Sequence, residues 1–401
     1  MHIILFSHPL YMQSQSMPRF SKMLEQAYLE RGHKVKIWSP KPHFFKIFSY
    51  GKISKWAGYV DQFILFPFWV HGQLKHQPAD TLYVFADQAL GPWVPLVKNK
   101  PHVVHAHDLL ALRSALGEIP ENPTSWSGRL YQHYIRHGFM QAKHFISVSK
   151  KTRDDLFIYG QINPVISEVV YNGLNYPYQP MQETDAKPLL AKAGLPMTAN
   201  GFLLHLGGSQ WYKNLAGVMH IYTAYATMTP QALPLVCVSP KPSEVIEKII
   251  ALMPANAKVV FIQGIDNLTL QAAYSMAAAF IFPSLAEGFG WPIAEAQACG
   301  CPVLTTDAAP MNEVGGNVAT YIPTMRLIDN HHNWAKNAAE KLITLITMTP
   351  DAREFYAKIS AENISKFDAK KTIEAYLSIY TQVLANYHNI TKSNSTVQKA
   401  Q

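Results

Sequence analysis

The chain states one rhythm twice, and that repetition limits its fold more than any other feature. A short apolar run is followed by a loop, a helix-like stretch and another apolar run. In the first half, His2 to Phe6 leads into a polar loop, Ser7 to Pro18, and then into a helical pattern with apolar positions at Phe20, Leu24, Ala27 and Tyr28. Arg31-Gly32-His33 closes that helix, with Gly32 as its stop, before the second apolar run, Val35 to Trp38. Strands separated by helices cannot form hairpins, so they must lie parallel with crossover connections. Thr81–Phe85, His102–His105 and Phe145–Ser149 continue the series, with a helix over Gly128–Ala142, and Val169–Gly173 closes the first domain. The second half begins again with Phe202–Leu206, Leu235–Val238, Val259–Ile262, Ala279–Phe282 and Val303–Thr305. The expected fold is α/β, with two Rossmann-like domains over residues 1–180 and 181–370. A helix over 371–388 is expected to pack back toward the first domain, and 389–401 reads as a polar tail.

The 401 residues, 48% hydrophobic and 15% charged, fit two folded domains rather than a disordered chain. No stretch reaches the roughly 18 to 20 apolar residues that span a bilayer. Met1 to Phe6 has neither a basic leader nor a cleavage site and reads as a strand. Cys237, Cys299 and Cys301 cannot all pair within one chain, which points to a reducing compartment, and Cys299-Gly-Cys301 without a second ligand pair reads as buried thiols. These features predict a cytoplasmic protein. The formal charge of +8 is concentrated at one end: residues 1–60 hold nine basic residues against Glu25 and Glu30. Such a patch attracts an anionic surface or ligand. No nucleic-acid module accompanies it, so a nucleic-acid partner is disfavoured.

Chemistry concentrates in the segment from Pro283 to Pro302. A strand ends, a loop follows carrying Glu287, Gly288, Phe289 and Gly290, and a helix begins with Glu295 in its first turns. Open α/β sheets bind ligands outside the carboxyl ends of their strands, where this loop must lie. Glycines let backbone amides approach a ligand, and a helix N-terminus favours phosphate. Ionised carboxylates only accept hydrogen bonds and suit vicinal hydroxyls. Amides for phosphate together with carboxylates for diols fit a nucleoside diphosphate sugar. The bland alternative is a solvated loop acid at Glu287 and a helix-dipole carboxylate at Glu295. His205-Leu-Gly207-Gly208-Ser209 followed by Lys213-Asn214 adds open amides and then a fixed cation at another strand end.

These segments resemble glycosyltransferase family 4, whose donor motif places two glutamates with seven residues between them and Gly-x-Gly after the first. Lys213-Asn214 is similar to the family's Lys-Asn or Lys-Gly pair, but the usual neighbouring Arg is absent and Tyr212 stands there. Val103-Val-His105-Ala-His107-Asp108-Leu resembles the family's strand-end His-Asp-Leu. His107 is preferred to His105, which should point to the other face of the sheet. Gln263-Gly264-Ile265 matches a segment whose backbone lies beside the nucleobase, and Ser147-Val-Ser149 and Tyr171-Asn172-Gly173 are smaller correspondences. The loop Ser14 to Arg19 lacks the relatives' Gly-Gly, and Arg19 is a candidate phosphate contact.

The resemblance implies the GT-B fold, with two parallel sheets facing across a cleft, and retention of anomeric configuration without a bound metal or other cofactor. It implies roles for Lys213, Glu287 and His107 in catalysis, and for Gly208, Ser209, Asn214, Ile265, Gly288, Phe289, Gly290, Glu295 and Arg19 in binding the donor. The implied partners are a nucleotide-sugar donor and a glycan or lipid-linked acceptor. The leaving phosphate would help to deprotonate the acceptor, so no protein nucleophile is assigned. Tyr212 in place of Arg keeps a second reading open, a catalytically inactive sugar-nucleotide-binding or membrane-associated scaffold. A phosphorylase or epimerase of the same fold is a third.

Between Lys41 and Trp69, aromatics alternate with lysines. One reading is a disordered or lid-like insertion that packs its own aromatics. The other is a segment lying on an anionic membrane, which would make the protein peripheral on the inner face.

Overall fold

The computed structural model describes residues 1–12, 16–48, 52–196, 198, 201–325 and 330–399. It divides into one unit of Met1–Tyr171 with Lys370–Gln401 and a second of Asn172–Ala369.

The first unit holds strands β1 (His2–Phe6), β2 (Lys34–Trp38), β3 (Leu82–Phe85), β4 (His102–Ala106), β5 (His144–Ser147) and β6 (Ile166–Val169). They form one parallel sheet in the order β2-β1-β3-β4-β5-β6, with Ile3 level with Val35 on one side and Leu82 on the other. β3, β4 and β5 are buried at every position, as expected of strands covered on both faces. One face packs Phe6, Trp38, Phe66, Trp93 and Phe139. The other receives Phe20, Leu24 and Tyr28 together with Ile373, Tyr376 and Tyr380 of the last helix, Ala369–Lys399. That helix runs on past residue 388, where the sequence reading had it give way to a polar tail, because 389–399 holds neither Gly nor Pro to stop it. The helix Trp126–Phe139 approaches the turn-helix Gln88–Val97 backbone to backbone. A Cβ on Gly138 would lie 2.1 Å from the carbonyl oxygen of Gly91, so only glycine fits there.

The second unit holds β7 (Phe202–Leu206), β8 (Leu235–Val238), β9 (Val259–Ile262), β10 (Ala277–Phe282), β11 (Val303–Thr306) and β12 (Thr320–Ile322), parallel in the order β12-β11-β10-β7-β8-β9. The three-residue edge strand β12 carries too few residues to announce itself in the sequence. Cys237, Cys299 and Cys301 are all buried and unpaired with each other, and burial pushes the Cys301 thiol up to about 12. Among the described residues no cluster could hold a metal ion.

The lysine- and aromatic-rich segment is helical, which overturns the disordered reading. Phe44–Ile47 forms one short helix, and Lys52–Val60, a π turn over Asp61–Leu65 and Phe66–Leu74 run on as a second. The physical reason is Asp61. Its buried carboxylate accepts hydrogen bonds from the backbone amides of His43 (3.0 Å), Phe44 (2.9 Å) and Phe45 (3.0 Å), tying the start of the short helix to the long one.

Candidate donor site and the histidines of the first unit

In the second unit two strand ends meet because β10 lies beside β7. After β7 come Gly207 and Gly208, then a single 3₁₀ turn, Trp211–Lys213. Asn214 follows at φ +53°, a left-handed conformation that asparagine tolerates better than most residues. Its Oδ1 accepts from the amide of Gly217 (3.1 Å), capping the helix Leu215–Met228, and its Nδ2 donates to the carbonyl of Pro283 beyond β10 (2.9 Å). The side chain of Asn214 therefore clamps the two loops together. A second tie runs from the amide of Leu285 to the carbonyl of Tyr212, at 2.8 Å.

The clamp brings together residues that are far apart in sequence. Lys213 Nζ donates to Glu287 Oε1 at 2.8 Å, with side-chain exposures of only 16% and 9%. The ammonium also stands 5.0 Å from the ring centre of Phe282 and 5.5 Å from that of Tyr212, so aromatic faces lie where the usual arginine is missing. The Ser284 hydroxyl lies 2.6 Å from Glu287 Oε1 and 2.7 Å from the carbonyl of Tyr212, sharing its one hydrogen between them.

Glu287 leads into Gly290, whose φ of +100° places the chain at the start of the helix Trp291–Ala298. Glu295 sits inside that helix, 6% exposed, and accepts from the Tyr274 hydroxyl at 3.0 Å. Burial pushes its carboxyl up to about 7, against the opposing pull of the Tyr274 hydrogen bond and the Lys213 charge. Phe289, expected at the donor, turns its ring inward against Phe367 (5.4 Å) and Trp291 (5.9 Å).

Gly208, Ser209 and Asn214 line a cavity of about 300 Å³ together with Ser239, Lys241 and Ser243. Lys241 was not singled out in the sequence. Its signal is modest, a lysine three residues after β8, and it becomes meaningful only because β8 pairs with β7. Ile265 lies beyond β9, one strand further along the sheet, after Gly264.

The other expected residues belong to the first unit. Arg19 is not in a loop: it lies on the helix Ser16–Leu29 and is exposed, while Ser14 and Gln15 fall outside the described residues. His107 follows β4, and its Nε2–H donates to the carbonyl of Ala86 at 2.9 Å, which fixes the tautomer. Its backbone amide donates to Gln88 Oε1 at 2.9 Å. His105 is fully buried within β4, 2.6 Å from the Tyr380 hydroxyl, and burial pushes it down to about 3, so it stays neutral.

Residues 194–362 match the family model described as glycosyl transferases group 1, and residues 18–176 match that described as glycosyltransferase family 4. The two matches cover most of both units, leaving out the first strand and the last helix of the first unit. The chain belongs to glycosyltransferase family 4.

This family 4 enzyme is 23% identical over 260 residues to O-antigen chain mannosyltransferase RfbU of Salmonella typhimurium, covering 65% of the chain and 64% of that relative. It is 27% identical over 142 residues to O-antigen chain mannosyltransferase B of Escherichia coli, covering 35% of the chain and 37% of the relative. The matches thus span less than two thirds of these relatives' lengths. The fold is also that of WaaG, a glycosyltransferase involved in lipopolysaccharide biosynthesis, with a TM-score of 0.66 at 15% identity over 94% of the chain and 99% of the neighbour. The enzyme is a GT-B glycosyltransferase of two Rossmann-like units.

Proposed function

We propose that the enzyme moves a hexose from a nucleoside diphosphate sugar to a glycan or lipid-linked acceptor with retention of anomeric configuration. The observation that carries this reading is the half-enclosed Lys213–Glu287 pair, built from two strand ends beside the Gly208 cavity. A lysine there offsets charge growing on the departing diphosphate, the largest single contribution that a preorganised site makes. Lys241 supplies a second cation in the absence of the arginine. Lys213 then exchanges its partner as the donor arrives, which frees Glu287 to accept from the sugar hydroxyls. Glu295 accepts from the ribose. His107 faces the sugar, and no protein nucleophile is required. With cations in these positions, transfer proceeds without a resident metal. The O-antigen mannosyltransferase relatives favour mannose as the sugar and a cell-envelope glycan as the acceptor.

A panel of nucleoside diphosphate sugars, GDP-mannose among them, assayed in EDTA with octyl α-mannoside tests the reading. One donor should yield a new α-linked product and free nucleoside diphosphate. Inverted product, or transfer that stops in EDTA, contradicts it.

We also propose that the first unit rests on an anionic bilayer. The described residues contain no helix long and apolar enough to cross one. The helices Lys52–Val60 and Trp126–Phe139 meet through stacked Tyr59 and Tyr131, 5.6 Å apart, and leave Trp56 (67%) and Trp126 (75%) exposed, as is Phe68 (76%) on Phe66–Leu74. Lysines around these aromatics complement anionic head groups. The protein should float with phosphatidylglycerol vesicles and stay behind with phosphatidylcholine ones. Trp56→Ala with Phe68→Ala should abolish flotation without loss of fold. Equal behaviour on both lipids contradicts the proposal.

A further inference from the structure

β4 ends at Ala106, and the chain then leaves the sheet carrying His107 and Asp108. A backbone that leaves its ladder needs new partners for its N–H and C=O groups. Gln88, three residues beyond the end of the neighbouring strand β3, supplies them. Its Oε1 accepts from the amide of His107 at 2.9 Å, and its Nε2 donates to the carbonyl of Asp108 at 2.6 Å. An N–H only donates and a carbonyl only accepts, so the two bonds also fix which end of the carboxamide is which. One side chain thus stands in for a neighbouring strand. Gln88 is itself anchored, because it opens the turn-helix Gln88–Val97. The cap of that turn, Asp87, is buried, accepts from the Ala89 amide at 3.0 Å and stands 2.8 Å from His8 Nε2.

Other groups hold the rest of His107. The Thr152 hydroxyl donates to its backbone carbonyl at 3.1 Å, and Asp108 turns the chain by accepting from the Leu110 amide at 3.0 Å. The imidazole donates from Nε2 to the Ala86 carbonyl, and the Phe20 ring stands edge-on to it with centroids 4.8 Å apart. With the hydrogen on Nε2, Nδ1 presents its lone pair. That tautomer lasts only while the ring stays opposite Ala86, and the ring goes where its backbone goes. Gln88 grips the backbone at two consecutive residues.

We propose that Gln88 is a positioning residue of sugar transfer, its carboxamide setting the His107–Asp108 backbone and so aiming the His107 imidazole. This rests on the glycosyl-transfer reading, in which His107 faces the sugar, and adds to it the group that holds His107 there. Displacing a reacting group by about 1 Å costs on the order of 10²-fold in rate, so a lost grip is read in kcat. Gln88→Met keeps the length of the side chain and makes neither bond. Gln88→Glu keeps both bonds only while protonated: the acid accepts from the His107 amide through one oxygen and donates to the Asp108 carbonyl through the other. Ionised, it turns a negative oxygen toward that carbonyl.

The test uses GDP-mannose as donor and octyl α-mannoside as acceptor. Gln88→Met should lower kcat about ten-fold or more at every pH, with the Kd for GDP within about two-fold of the parent. Gln88→Glu should retain much of the parental kcat at about pH 5 and lose it progressively toward about pH 8, as its carboxyl ionises. A side chain that only filled space would give a ratio to the parent that does not change with pH. An unchanged kcat in Gln88→Met overturns the proposal, as does an equal loss of GDP binding or a flat ratio for Gln88→Glu. If Gln88→Met does not fold, the pH profile of Gln88→Glu decides alone. If the parent transfers no sugar from any donor, the glycosyl-transfer reading fails instead. The grip on His107 is then judged in protein labelled with ¹⁵N-histidine. A His107 ring protonated on Nε2 alone in the parent and on either nitrogen in Gln88→Met supports it, and the same signals in both overturn it.

Discussion

Lys213→Ala should lower sugar transfer by about 10² to 10³-fold, the loss typical of removing one preorganised charge from the reacting centre. It should also destabilise the fold, for a separate reason. Lys213 and Glu287 are 16% and 9% exposed, and deleting the cation leaves a carboxylate enclosed without its partner. For pairs buried to this degree such a deletion costs about 3 kcal/mol, less where water can still reach the charge. The two losses separate in the double variant. Lys213→Ala with Glu287→Gln removes the unpaired charge and should recover most of the lost stability, yet transfer should stay as low as in the single variant or fall further. Urea unfolding and initial rates on the same preparations give both numbers. Recovery of activity alongside stability would mean that Lys213 acts only as a structural partner of Glu287.

The second large effect concerns Glu295 and pH. Its carboxyl is raised from 4.5 to about 7, so the folded protein holds that proton more tightly than the unfolded chain does. The sign follows from linkage: this contribution to stability is complete below about pH 4.5 and is lost as pH rises through about 7. The difference corresponds to roughly 3 kcal/mol at pH 8. Glu295→Gln retains a neutral group and escapes that loss. It should therefore melt several degrees above the parent at pH 8 and at nearly the parental temperature at pH 5. The same variant should bind donor at least ten-fold more weakly, because ribose hydroxyls donate best to the ionised form. In the parent, donor binding near pH 7 should release protons, visible as a dependence of the binding enthalpy on the buffer. A melting difference that does not change with pH would refute the assignment.

The strands were legible because buried parallel strands are written as continuous apolar runs, such as Phe202–Leu206 and Ala277–Phe282. The spacing of Glu287 and Glu295 was legible because it is local. What the sequence hid depends on the crossover order of the sheets. Lys213 meets Glu287 across 74 residues because β7 and β10 are neighbours, and His8 meets Asp87 because β1 and β3 are. Phe289 reads as a loop residue and turns inward because Phe367 offers it a buried edge. Asn214 reads as half of a Lys-Asn donor motif, and its amide also ties the loop after β10 to the helix that follows β7, through Pro283 and Gly217. The helix through Lys52–Leu74 was obscured by its mixed aromatics and lysines, whose spacing is interrupted by the π turn at Asp61–Leu65.

The most direct test is a crystal structure of the enzyme grown with GDP-mannose, or with whichever nucleotide sugar the panel selects. The diphosphate should lie within hydrogen-bonding distance of Lys213 and the Gly208 amide, the ribose on Glu295, and Glu287 should be released from Lys213. A nucleotide sugar bound elsewhere, with the Lys213–Glu287 pair intact, would contradict the account.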